Sequence, residues 1–178
     1  MNQWYGQMFN PQYVNYNYLQ QMSKTLVAYF SASGVTGSVA RTLSDALNAD
    51  LYEITPAVRY TDEDLDWRNA NSRSSLEMKD KTSRPEIVDA PVNIADYDTI
   101  LVGFPIWWYV APTIVNTFLE KHDFADKRII LFATSGGSSF GRTVDSLKDS
   151  VPGAVIEEGM LQRGKQDMDA WTSWAKGL

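Results

Sequence analysis

Hydroxyl-bearing and small side chains crowd one stretch of this chain, Ser31-Ala32-Ser33-Gly34-Val35-Thr36-Gly37-Ser38. Small residues let the backbone approach a ligand closely, and the Ser and Thr hydroxyls add donors. The N–H groups of a helix's first turn lack intrahelical partners and carry the positive end of the helix dipole, so such a turn holds a phosphate without Lys or Arg. The plainer alternative is a capped strand-to-helix turn that binds nothing. Two more stretches are as unusual: the aromatic run Pro105-Ile106-Trp107-Trp108-Tyr109 and the glycine-rich run Thr134-Ser135-Gly136-Gly137-Ser138-Ser139-Phe140-Gly141. Consecutive aromatics cannot all face one way at a strand end, so at least one should face a ligand crevice rather than the core. If one crevice collects all three stretches, it suits a ligand with a phosphate and a flat ring.

The elements around them decide whether that happens. Thr25-Leu26-Val27-Ala28-Tyr29-Phe30 reads as an apolar first strand, and Val39, Ala40, Leu43, Ala46 and Leu47 fall on one face of a helix after it. Leu51-Tyr52-Glu53-Ile54 is a short second strand. Residues 55–96 carry no strand signal, only a helix start with a capping-box pattern at Ser74-Ser75-Leu76-Glu77 and an acidic, solvated cluster of Asp62, Glu63, Asp64 and Asp66. The third strand is Thr99-Ile100-Leu101-Val102-Gly103-Phe104, followed by a helix opened by Pro112 that buries Ile114, Val115, Phe118 and Leu119. A fourth strand over residues 128–133 precedes a helix with Val144 and Leu147. A weak strand, Ala154-Val155-Ile156, precedes a helix with Met168, Trp171, Trp174 and Ala175 on one face. Repeated strand–helix alternation predicts an α/β fold: three layers around a doubly wound, parallel five-stranded sheet in the order 2-1-3-4-5. Winding then reverses between strands one and three, where ligands bind beyond the carboxyl ends. The loops after strands one, three and four flank that crevice, and they are the three unusual stretches.

Composition narrows the function. The chain has 178 residues, a net charge of -6 and no cysteine. The acidic balance argues against a nucleic-acid partner. No apolar run approaches the ~18–20 residues of a membrane span, so no membrane partner is expected. Lack of cysteine removes thiol nucleophiles and thiolate metal sites and fits a reducing, cytoplasmic location. Residues 1–21, rich in Gln, Asn and Tyr and free of charge, read as an arm outside a domain spanning 22–178. The lone histidine, His122, follows Lys121 and is expected as a cationic partner of a helix C-terminus.

Flavin mononucleotide (FMN) fits a phosphate site beside aromatics and glycine-rich backbone. The first strand with SASGVTGS, the PIWWYVAP stretch and the TSGGSSFG stretch resemble the flavodoxin-like FMN proteins over most of residues 22–178. YTDEDLDW and SRSSLEM resemble short bacterial flavodoxins with an enlarged connection after the second strand. The resemblance implies that Ser31, Ala32, Ser33, Gly34, Val35 and Thr36 hold the phosphate. It implies that Pro105, Ile106, Trp107 and Trp108 pass beside the ring, and that Thr134, Ser135, Gly136 and Gly137 line its other side. Two departures stand out. Val35 occupies a place where a hydroxyl is common, and the third stretch lacks the tyrosine that stacks on the ring in many electron-carrying flavodoxins. An open ring face suits a hydride donor or a small acceptor.

Other phosphate-binding folds fit less well. Gly37-Ser38 offers no P-loop lysine, the first turn lacks G-x-G-x-x-G, and Ser31 and Pro105 stand where a receiver domain needs acids. The expectation is an FMN redox protein that passes electrons to a partner protein or a small-molecule acceptor. An NAD(P)H-dependent reductase of quinones or other small molecules is the alternative within that class, and a non-catalytic binding module is the alternative outside it. The 55–96 connection would cover the flavin or form a subunit interface, the latter giving a homodimer. With no Lys or Arg in the site, FMN binding is expected to depend little on salt.

Overall fold

The computed structural model describes residues 24–178, and the expected arm at residues 1–21 lies outside them. Five parallel strands form one sheet in the order β2-β1-β3-β4-β5: β1 (Thr25–Tyr29), β2 (Asp50–Glu53), β3 (Thr99–Pro105), β4 (Arg128–Ser135) and β5 (Val155–Arg163). The helices between them are α1 (Val35–Leu47), α2 (Arg73–Lys79), α3 (Thr113–Glu120), α4 (Thr143–Leu147) and α5 (Met168–Lys176). The predicted architecture and strand order are both present.

Strand periodicity sorts the core into two layers. Leu26, Ala28, Ile100, Val102 and Phe104 face one side and pack with Ile114, Val115, Phe118 and Leu119 of α3. Val27, Tyr29, Leu101, Ile130 and Phe132 face the other, against Val39, Ala40 and Leu43 of α1 and Trp171 and Ala175 of α5. The central strands are therefore apolar on both faces, as a covered parallel sheet requires.

Several boundaries differ from the sequence reading. Helix α1 begins at Val35 rather than near Val39, because Gly34 takes a left-handed conformation (φ 91°) and lets the chain turn straight into the helix. Ser72, not Ser74, caps α2, its hydroxyl accepting from the Ser75 N–H at 3.3 Å. β5 is far longer than its three-residue signal, with a register shift against β4 between Leu131 and Ala133. His122 is no helix-end cation: its ring centroid lies 5.2 Å from that of Phe118 and 6.3 Å from that of Phe124. Burial there lowers its pKa and favours the neutral imidazole.

The 55–96 connection is ordered around its own base. Pro56 and Ile87 form an antiparallel bridge, with hydrogen bonds from Ala57 N to Glu86 O (2.9 Å) and Val88 N to Thr55 O (2.8 Å). Among the described residues, no helix is long and apolar enough to cross a membrane.

Candidate functional site

β1, β3 and β4 are neighbours, so their carboxyl ends deliver the three unusual stretches side by side. Adjacent strands are ~4.8 Å apart, which holds the three loops within about 10 Å of one another. Hydrogen bonds tie them together. Phe30 N donates to Gly103 O at 2.9 Å, Ile106 N donates to Thr134 O at 2.9 Å, and the Thr36 and Thr134 hydroxyls meet at 2.9 Å.

In the first loop the Ser31 hydroxyl accepts from Gly34 N and Gly37 N, each at 3.1 Å, and so draws the turn closed. Among the described residues nothing accepts from the N–H groups of Ala32, Ser33, Val35 and Thr36. They form a set of free donors at the positive end of α1. Thr36 and Thr134 are buried, at 2% and 4% exposure. Their mutual hydrogen bond uses one of the two hydroxyl protons, and the second has no acceptor among the described residues. A buried donor left over in this way fits an anion that supplies the missing acceptor. Ser38 plays a different part from the one its sequence position suggested: its hydroxyl donates to Gly34 O at 3.1 Å and is taken up within the turn.

The second loop is a two-residue hairpin. Trp107 and Val110 exchange backbone hydrogen bonds of 3.0 and 3.1 Å, and Trp108 and Tyr109 at the tip have φ values of 47° and 65°. Two positive values make the primed turn that usually takes Asn-Gly, and here two aromatics adopt it at a strain of about 1–3 kcal/mol each. Trp107 turns inward, half-buried, its ring 5.6 Å from Phe30 and 5.5 Å from Tyr60. Trp108 and Tyr109 stay exposed, at 44% and 64%. The outward aromatics are thus Trp108 and Tyr109, while Trp107 is divided between crevice and core.

The third loop seats this hairpin. Arg142 N donates to Tyr109 O at 3.1 Å, and Gly141 sits beneath it with φ 55°, where an added Cβ would lie 2.3 Å from Tyr109 O. Gly136 and Gly137 are exposed, and Gly137 N donates to the Ser135 hydroxyl at 3.1 Å. Phe140, the aromatic of this loop, is buried at 7% and contributes to the core rather than to a ring face. On the loop's other flank an open cleft of about 380 Å³ lies against Glu158, Gly159, Leu161 and Arg163 of β5.

Three residues outside the expected set reach these loops. Tyr60 comes from the long connection. Arg163 Nε donates to Gly137 O at 3.1 Å, and Arg41 Nη2 donates to the Ser38 hydroxyl at 3.3 Å on the first turns of α1. The site is therefore flanked by cations, contrary to the sequence reading. The i, i+3 spacing of Ser38 and Arg41 on a helix was the available signal for the second of them. Pro105, Ile106, Thr134 and Ser135 act as the frame: Pro105 pairs with Thr134 across the ends of β3 and β4.

A doubly wound sheet with free helix-terminal donors, an aromatic hairpin and a glycine-rich loop gathered at its switch point defines an α/β protein of the flavodoxin-like strand order, with these loops where open α/β sheets take their ligands. The chain belongs to the flavodoxin family, whose profile matches residues 24–178. It is similar to the crystal structure of a candidate flavoprotein from Bacteroides eggerthii, with 48% identity, a TM-score of 0.78, and coverage of 85% of this chain and 95% of that one. A candidate flavoprotein from Bacteroides uniformis is 47% identical, with a TM-score of 0.80 and coverage of 86% and 98%. A flavoprotein from Lactobacillus acidophilus, crystallised in complex with FMN, shares the fold at 22% identity and a TM-score of 0.61, over 84% of this chain and 99% of that one. Among curated proteins, the uncharacterised NAD(P)H oxidoreductase YcaK of Escherichia coli is 30% identical over 74 residues. That match takes in 40% of this chain and spans 33% of the length of YcaK.

Proposed function

We propose that the chain binds FMN and serves as a redox flavoprotein, passing electrons to a partner protein or a small acceptor. The observation that carries this reading is the set of unpartnered donors at the start of α1, joined by the spare hydroxyl proton of the buried Thr36–Thr134 pair. These groups match a phosphate monoester in charge and in hydrogen-bond sense, because every one of them donates. When bound, FMN would supply reversible one- and two-electron chemistry.

The protein's own residues do the holding. The N–H groups of Ala32, Ser33, Val35 and Thr36 would bind the phosphate, and the Thr36–Thr134 contact keeps the first and third loops together around it. Trp108 and Tyr109 are exposed at the tip of the hairpin, and an aromatic face turned to the ring there would contribute about 0.5–1.5 kcal/mol beyond area burial. Gly136 and Gly137 present exposed backbone without side chains in the third loop, where a flat ring would meet main chain rather than side chains.

A second reading, an NAD(P)H-dependent reductase, is favoured by one observation. Phe140 is buried, so the third loop offers no aromatic side chain to cover a bound flavin, which would suit a small donor or acceptor. The partial likeness to an NAD(P)H oxidoreductase points the same way. Reconstitution tests the common core of both readings. Flavin-free protein mixed with FMN should retain flavin absorbance through gel filtration, and a preparation that emerges colourless overturns them together. Oxidation of NADH or NADPH with a quinone then separates them, since a shuttle turns over neither without its reductase.

A further inference from the structure

We propose that Tyr60 is a positioning residue for the flavin ring: it braces the strained 107–110 hairpin against the body of the fold, and Arg73 and Glu77 lock it in place. The proposal rests on the FMN reading and assigns a use to the 55–96 connection.

Aromatic residues at φ 47° and 65° stay there only where their surroundings over-determine them. Gly141 supplies one restraint. The other is Trp107, whose ring meets Phe30 edge-on (5.6 Å, 89°) and Tyr60 edge-on (5.5 Å, 75°), while Phe30 and Tyr60 meet each other at 5.6 Å and 62°. Phe30 is fully buried and directly precedes Ser31, so it is an immovable wall. Tyr60 belongs to a long connection and needs an anchor of its own.

That anchor is present. The Arg73 guanidinium lies over the Tyr60 ring, Cζ 3.8 Å from its centroid, and the Tyr60 hydroxyl donates to Glu77 Oε2 at 2.6 Å. Arg73 Nε donates to Glu77 Oε1 at 2.8 Å, and its Nη1 donates to Val58 O at 2.8 Å. Burial, followed by the Glu77 hydrogen bond and charge, raises the phenol pKa far above its ordinary value, so the hydroxyl remains a donor at every working pH. None of these groups hydrogen-bonds to the phosphate-side donors of the first loop, so the ring end and the phosphate end of the site can be perturbed separately.

The test titrates the full chain with FMN and with riboflavin, which lacks the phosphate, and times chymotrypsin cleavage after Trp108 and Tyr109 without flavin. Tyr60→Ala is expected to weaken both flavins by the same factor, about tenfold, and to speed cleavage by about as much, leaving the FMN-to-riboflavin ratio unchanged. Tyr60→Phe should recover most of the affinity. Arg73→Gln, on a partly exposed side chain, should lose about threefold, and it decides the matter if the alanine variant does not fold. Wild-type affinities and cleavage rates in the variants overturn the proposal. So does a changed FMN-to-riboflavin ratio, or equal losses in the alanine and phenylalanine variants. If the wild type takes up neither flavin, the FMN reading fails instead, and the cleavage rates still decide whether Tyr60 braces the hairpin.

Discussion

Gly141→Ala should unseat the aromatic hairpin, with consequences for both stability and flavin affinity. At φ 55° a side chain costs about 1–2 kcal/mol. The new Cβ would also lie 2.3 Å from Tyr109 O and 2.9 Å from Tyr109 Cβ. The nearest of these atoms is backbone, so the hairpin itself has to shift. The shift stretches the 3.1 Å hydrogen bond from Arg142 N to Tyr109 O, worth about 0.5–1.5 kcal/mol. Together the effects reach roughly 2–3 kcal/mol, which lowers the Tm of a domain this size by about 4–12 °C. If half of that free energy falls on the flavin-binding conformation, the Kd for FMN and for riboflavin rises by about tenfold, since 1.4 kcal/mol is one decade. Thermal unfolding of the flavin-free protein and quenching of flavin fluorescence measure the two quantities. Unchanged Tm and Kd would refute the seating of Tyr109 on Gly141. A lowered Tm with unchanged Kd would remove the hairpin from the ring site.

Thr36→Val leaves the Thr134 hydroxyl buried without its partner, at a cost of about 1–3 kcal/mol, and should weaken FMN while sparing riboflavin. Equal losses for the two flavins would place the pair outside the phosphate end. Arg41→Gln should flatten the salt dependence of FMN affinity, measured by titration at low and high ionic strength, whereas identical slopes would mean that Arg41 does not feel the phosphate. Stability should fall on acidification in two stages. Burial depresses the pKa of His122, so its contribution is complete above the unfolded value of ~6.5 and declines as pH drops through the lower folded value. Glu120, held low by the Arg84 guanidinium and then by the Ser150 hydroxyl, adds a loss of the same sign below the ordinary ~4.3 of a glutamate. A Tm that rises as pH falls through these ranges would contradict both assignments.

The sheet was readable from the chain because β1, β3 and β4 are covered on both faces and appear as apolar runs, and because α1, α3 and α5 repeat their buried positions at helical spacing. β5 was nearly invisible for the opposite reason. It is an edge strand with no fully buried residue, and Glu157, Glu158 and Gln162 interrupt its sequence, so no apolar run marks it. The three site loops announced themselves by composition, yet the shape of the second did not, because Trp108 and Tyr109 adopt a turn that ordinarily signals itself with Asn or Gly. Tyr60 was unreadable altogether. It reaches the site through tertiary packing of a connection whose local pattern says only where α2 starts, and that start was itself misplaced by two residues, at Ser74 instead of Ser72. Trp107 could not be divided between core and crevice until its neighbours Phe30 and Tyr60 were in place.

The most direct test of the phosphate cradle is the ratio of FMN to riboflavin affinity in the wild-type chain, measured by isothermal titration of flavin-free protein. Charge-assisted hydrogen bonds contribute about 1.5–3 kcal/mol each, so even two of the free donors at the start of α1 should make FMN bind about a hundredfold or more tighter than riboflavin. Equal affinities for the two flavins, or no binding of either, would contradict the account.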